Sequence, residues 1–297
     1  MVTIDEALQL RSPRGSGVVL ARAVAWGRKK PLGAAATGIV VLFFLVALFA
    51  GRIAPYDPLA QQYSAVLEAP SRQHPMGTDN LGRDMLSRVI YGARISLAVG
   101  LAAVLIGTFL GTALGLLSGF LGGAFDLVVQ RIMDAWLAFP LIIFALVVLA
   151  ALGPGLTQTM LAVGLVGVPT TSRVIRGSVL AEKERVYVEA ARALGATRSR
   201  LMLQHILPNV AAPIIVLASL TLARAVLTEA TLSFLGVGVP PPNPAWGSML
   251  SGKARDYMLS APWMAIWPGA FISLTVLSWN LLGDAIRDLL DPRLRNS

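Results

Sequence analysis

An all-α, polytopic membrane helix bundle of about six transmembrane helices is the fold that this sequence predicts, and three observations predict it. Of 297 residues, 55% are hydrophobic and only 14% charged, with a mean hydropathy of +0.68; a water-facing surface cannot cover that much apolar side chain. Six apolar stretches approach the roughly 20 helical residues that a hydrocarbon core about 30 Å thick requires. The net charge of +9 flanks those stretches and does not interleave with aromatics along a polar face, so the expected surroundings are membrane lipid, not nucleic acid. No cysteine is present, which excludes disulfides and thiolate metal sites.

Residues 1–31 form a basic leader (Arg11, Arg14, Arg22, Arg28, Lys29 and Lys30) ahead of a first span over 32–50, whose full spanning length marks a retained anchor and not a signal peptide. The leader puts the N-terminus in the cytoplasm by the positive-inside rule, and six crossings return the tail, 292–297, to the same side. Residues 51–95 are an external segment in which Gly77-Thr78-Asp79 offers a turn and N-cap for a surface helix over 80–97. A core bundle over 96–291 then contains spans at 96–120, 126–152, 159–180, 210–235 and 263–283. The span over 159–180 has the shortest apolar run, because Arg173 and Arg176 sit in its second half. A cytoplasmic loop occupies 181–209. An external loop occupies 236–262, where the prolines between Gly238 and Trp246 forbid regular helix.

Within the spans, Gly107, Gly111, Gly115 and Gly119 recur every fourth residue and form a smooth strip for helix packing. Arg224 and Glu229 lie five residues apart inside one span and point in different directions. Charges there are costly and functional by default, facing a water-filled path or a partner subunit. Arg131 with Asp134, and Asp284 with Arg287, have the spacing of pairs along one helix face. The stretch from Gly247 to Ala254 copies most of a phosphate-loop pattern but lacks the final hydroxyl, a preceding strand and a cytoplasmic location, so no nucleotide site is expected in this chain. His74 and His205 have no partner at metal-ligand spacing, and no catalytic constellation is legible. The cytoplasmic loop reads as two short helices: Ala190, Ala191 and Ala193 favour the first, Gly195 ends it, Thr197 caps the second and Pro208 marks its exit. A small-faced surface helix suits insertion into a partner's groove.

That loop resembles the EAA loop of binding-protein-dependent ABC importer permeases: Glu189-Ala190-Ala191, Gly195 and Leu207-Pro208 match in spacing, with His205 where the broad pattern has Ile. The HILPN run ending at Asn209 is similar to the dipeptide, oligopeptide and nickel branch. So are the segments from His74 to Asp84, Gly92 to Leu97, Leu232 to Gly236, Pro244 to Gly247 and Asn280 to Pro292. The long leader and single helix before Gly77 resemble the C-type permease of that branch. The resemblance implies a multi-pass protein of the bacterial inner membrane that forms a path with a second homologous permease. It implies coupling through Glu189, Ala190, Ala191, Gly195, Leu207 and Pro208 to two cytoplasmic ATPase subunits or domains. ATP and Mg²⁺ would be held on those partners, no cofactor on this chain, and cargo would come from an external binding protein. Peptides lead as cargo; nickel or another small solute is the alternative within the branch, and an ion-coupled secondary transporter relaying through Arg224 and Glu229 is the alternative outside it.

Overall fold

The computed structural model of the chain describes residues 31–252, 256–257 and 259–290. The basic leader up to residue 30, the tail, and the end of the phosphate-loop-like stretch lie outside the described residues.

Eight helices longer than two turns carry the fold. They are α1 (Pro31–Leu48), α2 (Met85–Leu121), α3 (Gly123–Leu137), α4 (Leu141–Leu152), α5 (Leu156–Glu182), α6 (Val186–Ala193), α7 (Ala211–Phe234) and α8 (Trp263–Leu290). Four of them, α1, α2, α7 and α8, are long and apolar enough to cross a membrane alone. The stretch expected as one span over 126–152 is instead α3 and α4, bent by 96° where Pro140 caps α4 and removes a helical donor. α5 is too polar to qualify by composition, yet it runs beside α2 in the most extensive helix pairing of the molecule.

The glycine strip fixes that pairing. A Cβ on Gly107 would meet Gly164 O at 2.8 Å, on Gly111 Thr171 Cβ at 2.5 Å, on Gly115 Ser172 O at 2.5 Å and on Gly119 Arg176 O at 3.0 Å. Each step down α2 matches a step in the same sense along α5, so the two helices are parallel. Two parallel helices need a return between them, and α3 with α4 supplies it as one broken traverse. α7 runs opposite to α2, since Gly100 meets Val226 while Leu116 packs with Val210. Six traverses therefore survive, with the third broken and the fourth sheltered by packing. Pro31, Leu121, Glu182, Ala211 and Leu290 all end at the face that carries the cytoplasmic loop.

α2 is 37 residues long, about 55 Å at 1.5 Å per residue, so it outruns the bilayer and its first turns stand outside. The cap lies five residues later than the sequence suggested. Asp84, not Asp79, accepts from Ser87 N at 2.7 Å, because Asp79 is committed to the preceding turn through Leu81 N at 2.8 Å, Arg83 N at 3.0 Å and Arg83 Nε at 2.6 Å. Gly82 adopts φ 70° against Gln62 O, which leaves no space for a Cβ. His74 is buried, its Nδ1–H donating to Asp84 Oδ1 at 2.9 Å, and Trp263 Nε1 donates to Thr78 O at 3.0 Å. The external segment is thus a folded cap on α2 and α8.

Trp246 anchors the external loop in the bundle. It is 0% exposed, its Nε1–H donates to Val89 O at 2.9 Å and its backbone N–H to Ser96 Oγ at 3.3 Å. Its ring lies 6.0 Å from Phe43 and 5.9 Å from Phe271. Gly247 sits so close to α7 that a Cβ would meet Ala230 O at 2.3 Å; its glycine serves packing, not phosphate. Trp246→Ala is expected to cost about 3–5 kcal/mol, read as a lower melting temperature in detergent, with Trp246→Phe closer to the native protein.

Candidate functional site

The cytoplasmic loop is built around one buried side chain. Val188 is 0% exposed and packs α6 onto Leu116, Ile175, Val179, Leu201, Ile206 and Val210. Seating Val188 turns Val186, Glu189, Ala190 and Ala193 outward, all exposed, at the i, i+3, i+4, i+7 spacing of one helix face. Val186 is 80% exposed, and Leu194, just beyond the helix, is 89% exposed. Glu189 lies in the first turn, where the helix dipole favours an acid.

α6 stops by a Schellman arrangement: Ala196 N donates to Ala191 O at 3.1 Å and Gly195 N to Arg192 O at 3.0 Å, with Gly195 at φ 83°. Nothing lies within 4 Å of a Cβ on Gly195, so backbone conformation alone selects glycine. Thr197 then caps the return through Arg200 N at 3.4 Å. The chain widens into a π-helical turn over Leu201–Ile206, which makes room for the Pro208 ring against the carbonyl of Gln204. Leu207 is partly buried against the Val188 cluster, and Pro208 is exposed.

Tyr187 ties the ends of this loop together. Its hydroxyl donates to Glu182 Oε1 at 2.7 Å and accepts from Asn209 Nδ2 at 3.0 Å. Partial burial first, and the Glu182 carboxylate second, push the phenol up to about 12. A raised value means the tie is whole below the ordinary phenol pKa of about 10 and weakens only as pH climbs through 12. Sequence reasoning missed Val188 as the seat; its signal is the offset of Val188 and Ala191 from the outward stripe.

At the mouth of the bundle, Arg176 Nε and Nη2 donate to Asp126 at 2.6 and 2.5 Å. Arg173 pairs with Asp134, which also has Arg131 at 3.8 Å. These pairs explain how α5 carries two arginines beside the membrane. Asp284 and Arg287 form no such pair among the described residues.

The two span charges separate. Glu229 is 0% exposed; Oε1 accepts from Ser233 Oγ at 2.8 Å, Oε2 has no partner among the described residues, and Ser233 Oγ accepts from Val239 N at 3.2 Å. Expected on a path or subunit surface, Glu229 is sealed within the chain, where its helix holds the external loop. Arg224 is exposed and lines a small cleft with Leu141, Gly167, Thr170, Thr221 and Thr228. No cluster of three or more His, Cys, Asp or Glu side chains suited to a metal occurs among the described residues.

The family described as binding-protein-dependent transport system inner membrane component matches residues 111–296. The chain belongs to this family. It is a multi-pass permease component of an ABC importer in the bacterial inner membrane. Residues 28–70 match a second description, the N-terminal TM domain of oligopeptide transport permease C, which places the chain in the peptide branch. Membership in this ABC family removes the ion-coupled alternative.

Curated relatives agree. A protein named glutathione transport system permease protein GsiD, from Shigella flexneri serotype 5b, is 44% identical over 269 residues, covering 90% of this chain and 88% of the relative. The protein of the same name from Escherichia coli O157:H7 is 43% identical over the same shares. Among solved structures, a chain of the MetNI methionine ABC transporter in inward-facing conformations matches with a TM-score of 0.57 at 19% identity, covering 70% of this chain and 98% of that one. That likeness concerns the fold alone.

Proposed function

We propose that this permease forms one half of the path of a small-peptide importer, and that α6 is the lever through which ATP drives it. A second homologous permease supplies the other half of the path. Two cytoplasmic ATPase subunits or domains hold ATP and Mg²⁺, and an external binding protein delivers the cargo. The observation that carries this reading is the outward face of α6. Val186, Ala190, Ala193 and Leu194 form an exposed, largely apolar surface around the single carboxylate of Glu189, which suits a complementary cleft better than water. Because Val188 roots the same helix in α2, α5 and α7, a pull on that face reaches the spans directly. Two relatives named for glutathione transport support a short peptide as cargo.

Reconstitution tests the reading. Proteoliposomes holding this chain with its second permease, ATPases and binding protein should accumulate glutathione or a comparable tripeptide only when ATP is supplied. Accumulation by this chain alone, or without ATP, would sink the proposal.

A further inference from the structure

Arg224 is the fourteenth of the 24 residues of α7, a helix about 36 Å long, so it lies near the bilayer midplane. At the cytoplasmic end Arg173 and Arg176 each hold an aspartate, but no carboxylate lies within 4.0 Å of Arg224 among the described residues. Glu229 is turned away and bonded to Ser233.

Three threonines stand beside Arg224 in a cleft whose other walls, Ala103, Leu141, Val163, Val166 and Ala225 among them, are apolar. Thr170 reaches the cleft from α5, and Thr221 and Thr228 flank Arg224 on α7. Thr228 Oγ1 donates to Arg224 O at 2.8 Å and Thr221 Oγ1 to Leu217 O at 2.7 Å, which leaves both hydroxyl oxygens free to accept. The cleft measures about 60 Å³, room for a few waters and not for a peptide. A peptide passing Arg224 therefore needs space beyond this chain, which the second permease of the importer reading would complete. An outward-facing cation at mid-membrane is tolerated where water or an anion meets it.

We infer that Arg224 reads the carboxylate of the cargo during passage, so that the path selects peptides with a free carboxylate over their neutral analogues. The inference rests on the importer reading above. A guanidinium fork takes a carboxylate in two parallel hydrogen bonds, which an ammonium cannot copy. A neutral analogue leaves the fork unpaired and is disfavoured for that reason.

The test compares trialanine with trialanine amide in proteoliposomes of the complete complex, with the binding protein saturating for each. Arg224→Gln should lower trialanine uptake about tenfold or more beyond any change in amide uptake, the scale of a lost charge-assisted contact. Arg224→Lys, which keeps the charge and loses the fork, should fall between. Equal losses for the two peptides would overturn the inference and point to an acid of the second permease as the partner of Arg224; no loss for either would also overturn it. A native complex that moves neither peptide with ATP overturns the importer reading itself, a failure visible before any variant is made.

Discussion

Gly115→Leu is expected to leave little assembled bundle. A Cβ there would stand 2.5 Å from Ser172 O and 3.1 Å from Arg176 N. Both are backbone atoms of a helix that cannot retreat without opening its contacts with Gly107, Gly111 and Gly119. The leucine adds three more carbons to that collision, so the cost should reach about 3 kcal/mol or more, the upper end of overpacking. It should appear as sharply reduced protein in the membrane and an early, broad melt in detergent. Gly38→Ala is the control. Nothing lies within 4 Å of its Cβ, and replacing an exposed helical glycine gains up to about 1 kcal/mol of helix propensity. Native yield and melting for Gly115→Leu would refute the parallel α2–α5 packing.

Val188→Asp should abolish ATP-driven uptake while the spans still fold. The substitution buries an unpaired charge among Leu116, Ile175, Val179, Leu201, Ile206 and Val210, at a cost of several kcal/mol. The cheapest relief is to lift α6 off the bundle, which cuts the connection between the outward face and the spans. Uptake should fall about 100-fold or more, since several kcal/mol separate seated from unseated loop, and the ATPases should no longer co-purify. Gly195→Val should act in the same direction and less severely, because a β-branched residue at φ 83° costs about 1–2 kcal/mol. Gly195→Asn, which tolerates the left-handed region, should retain most uptake. Equal loss for valine and asparagine would argue that Gly195 matters for something other than its backbone.

Much of this was legible in the residues themselves. Apolar run length marked α1, α2, α7 and α8, because spanning a hydrocarbon core is a matter of composition and count. Gly195, Thr197 and Pro208 marked the two-helix grammar of the loop, because caps and breakers act within a few residues. The four-residue glycine spacing marked a packing face but not its neighbour.

What the sequence left open depends on atoms distant along the chain. Asp79 and Asp84 are equally good caps in isolation, and only the turn through Leu81 and Arg83 decides between them. A run of apolar residues over 126–152 reads as one span until Pro140 bends it by 96°. Glu229 and Arg224 are both charges in one helix. Packing buries the first against Ser233 and Val239 and leaves the second facing outward. The sequence by itself determined a membrane bundle with a two-helix loop between its spans, since hydrophobicity and local propensity are properties of short segments. Tertiary structure alone decided that α2 and α5 run parallel, that Val188 seats the loop and that Arg224 is exposed at a small cleft, since direction, burial and pairing exist only once distant segments meet.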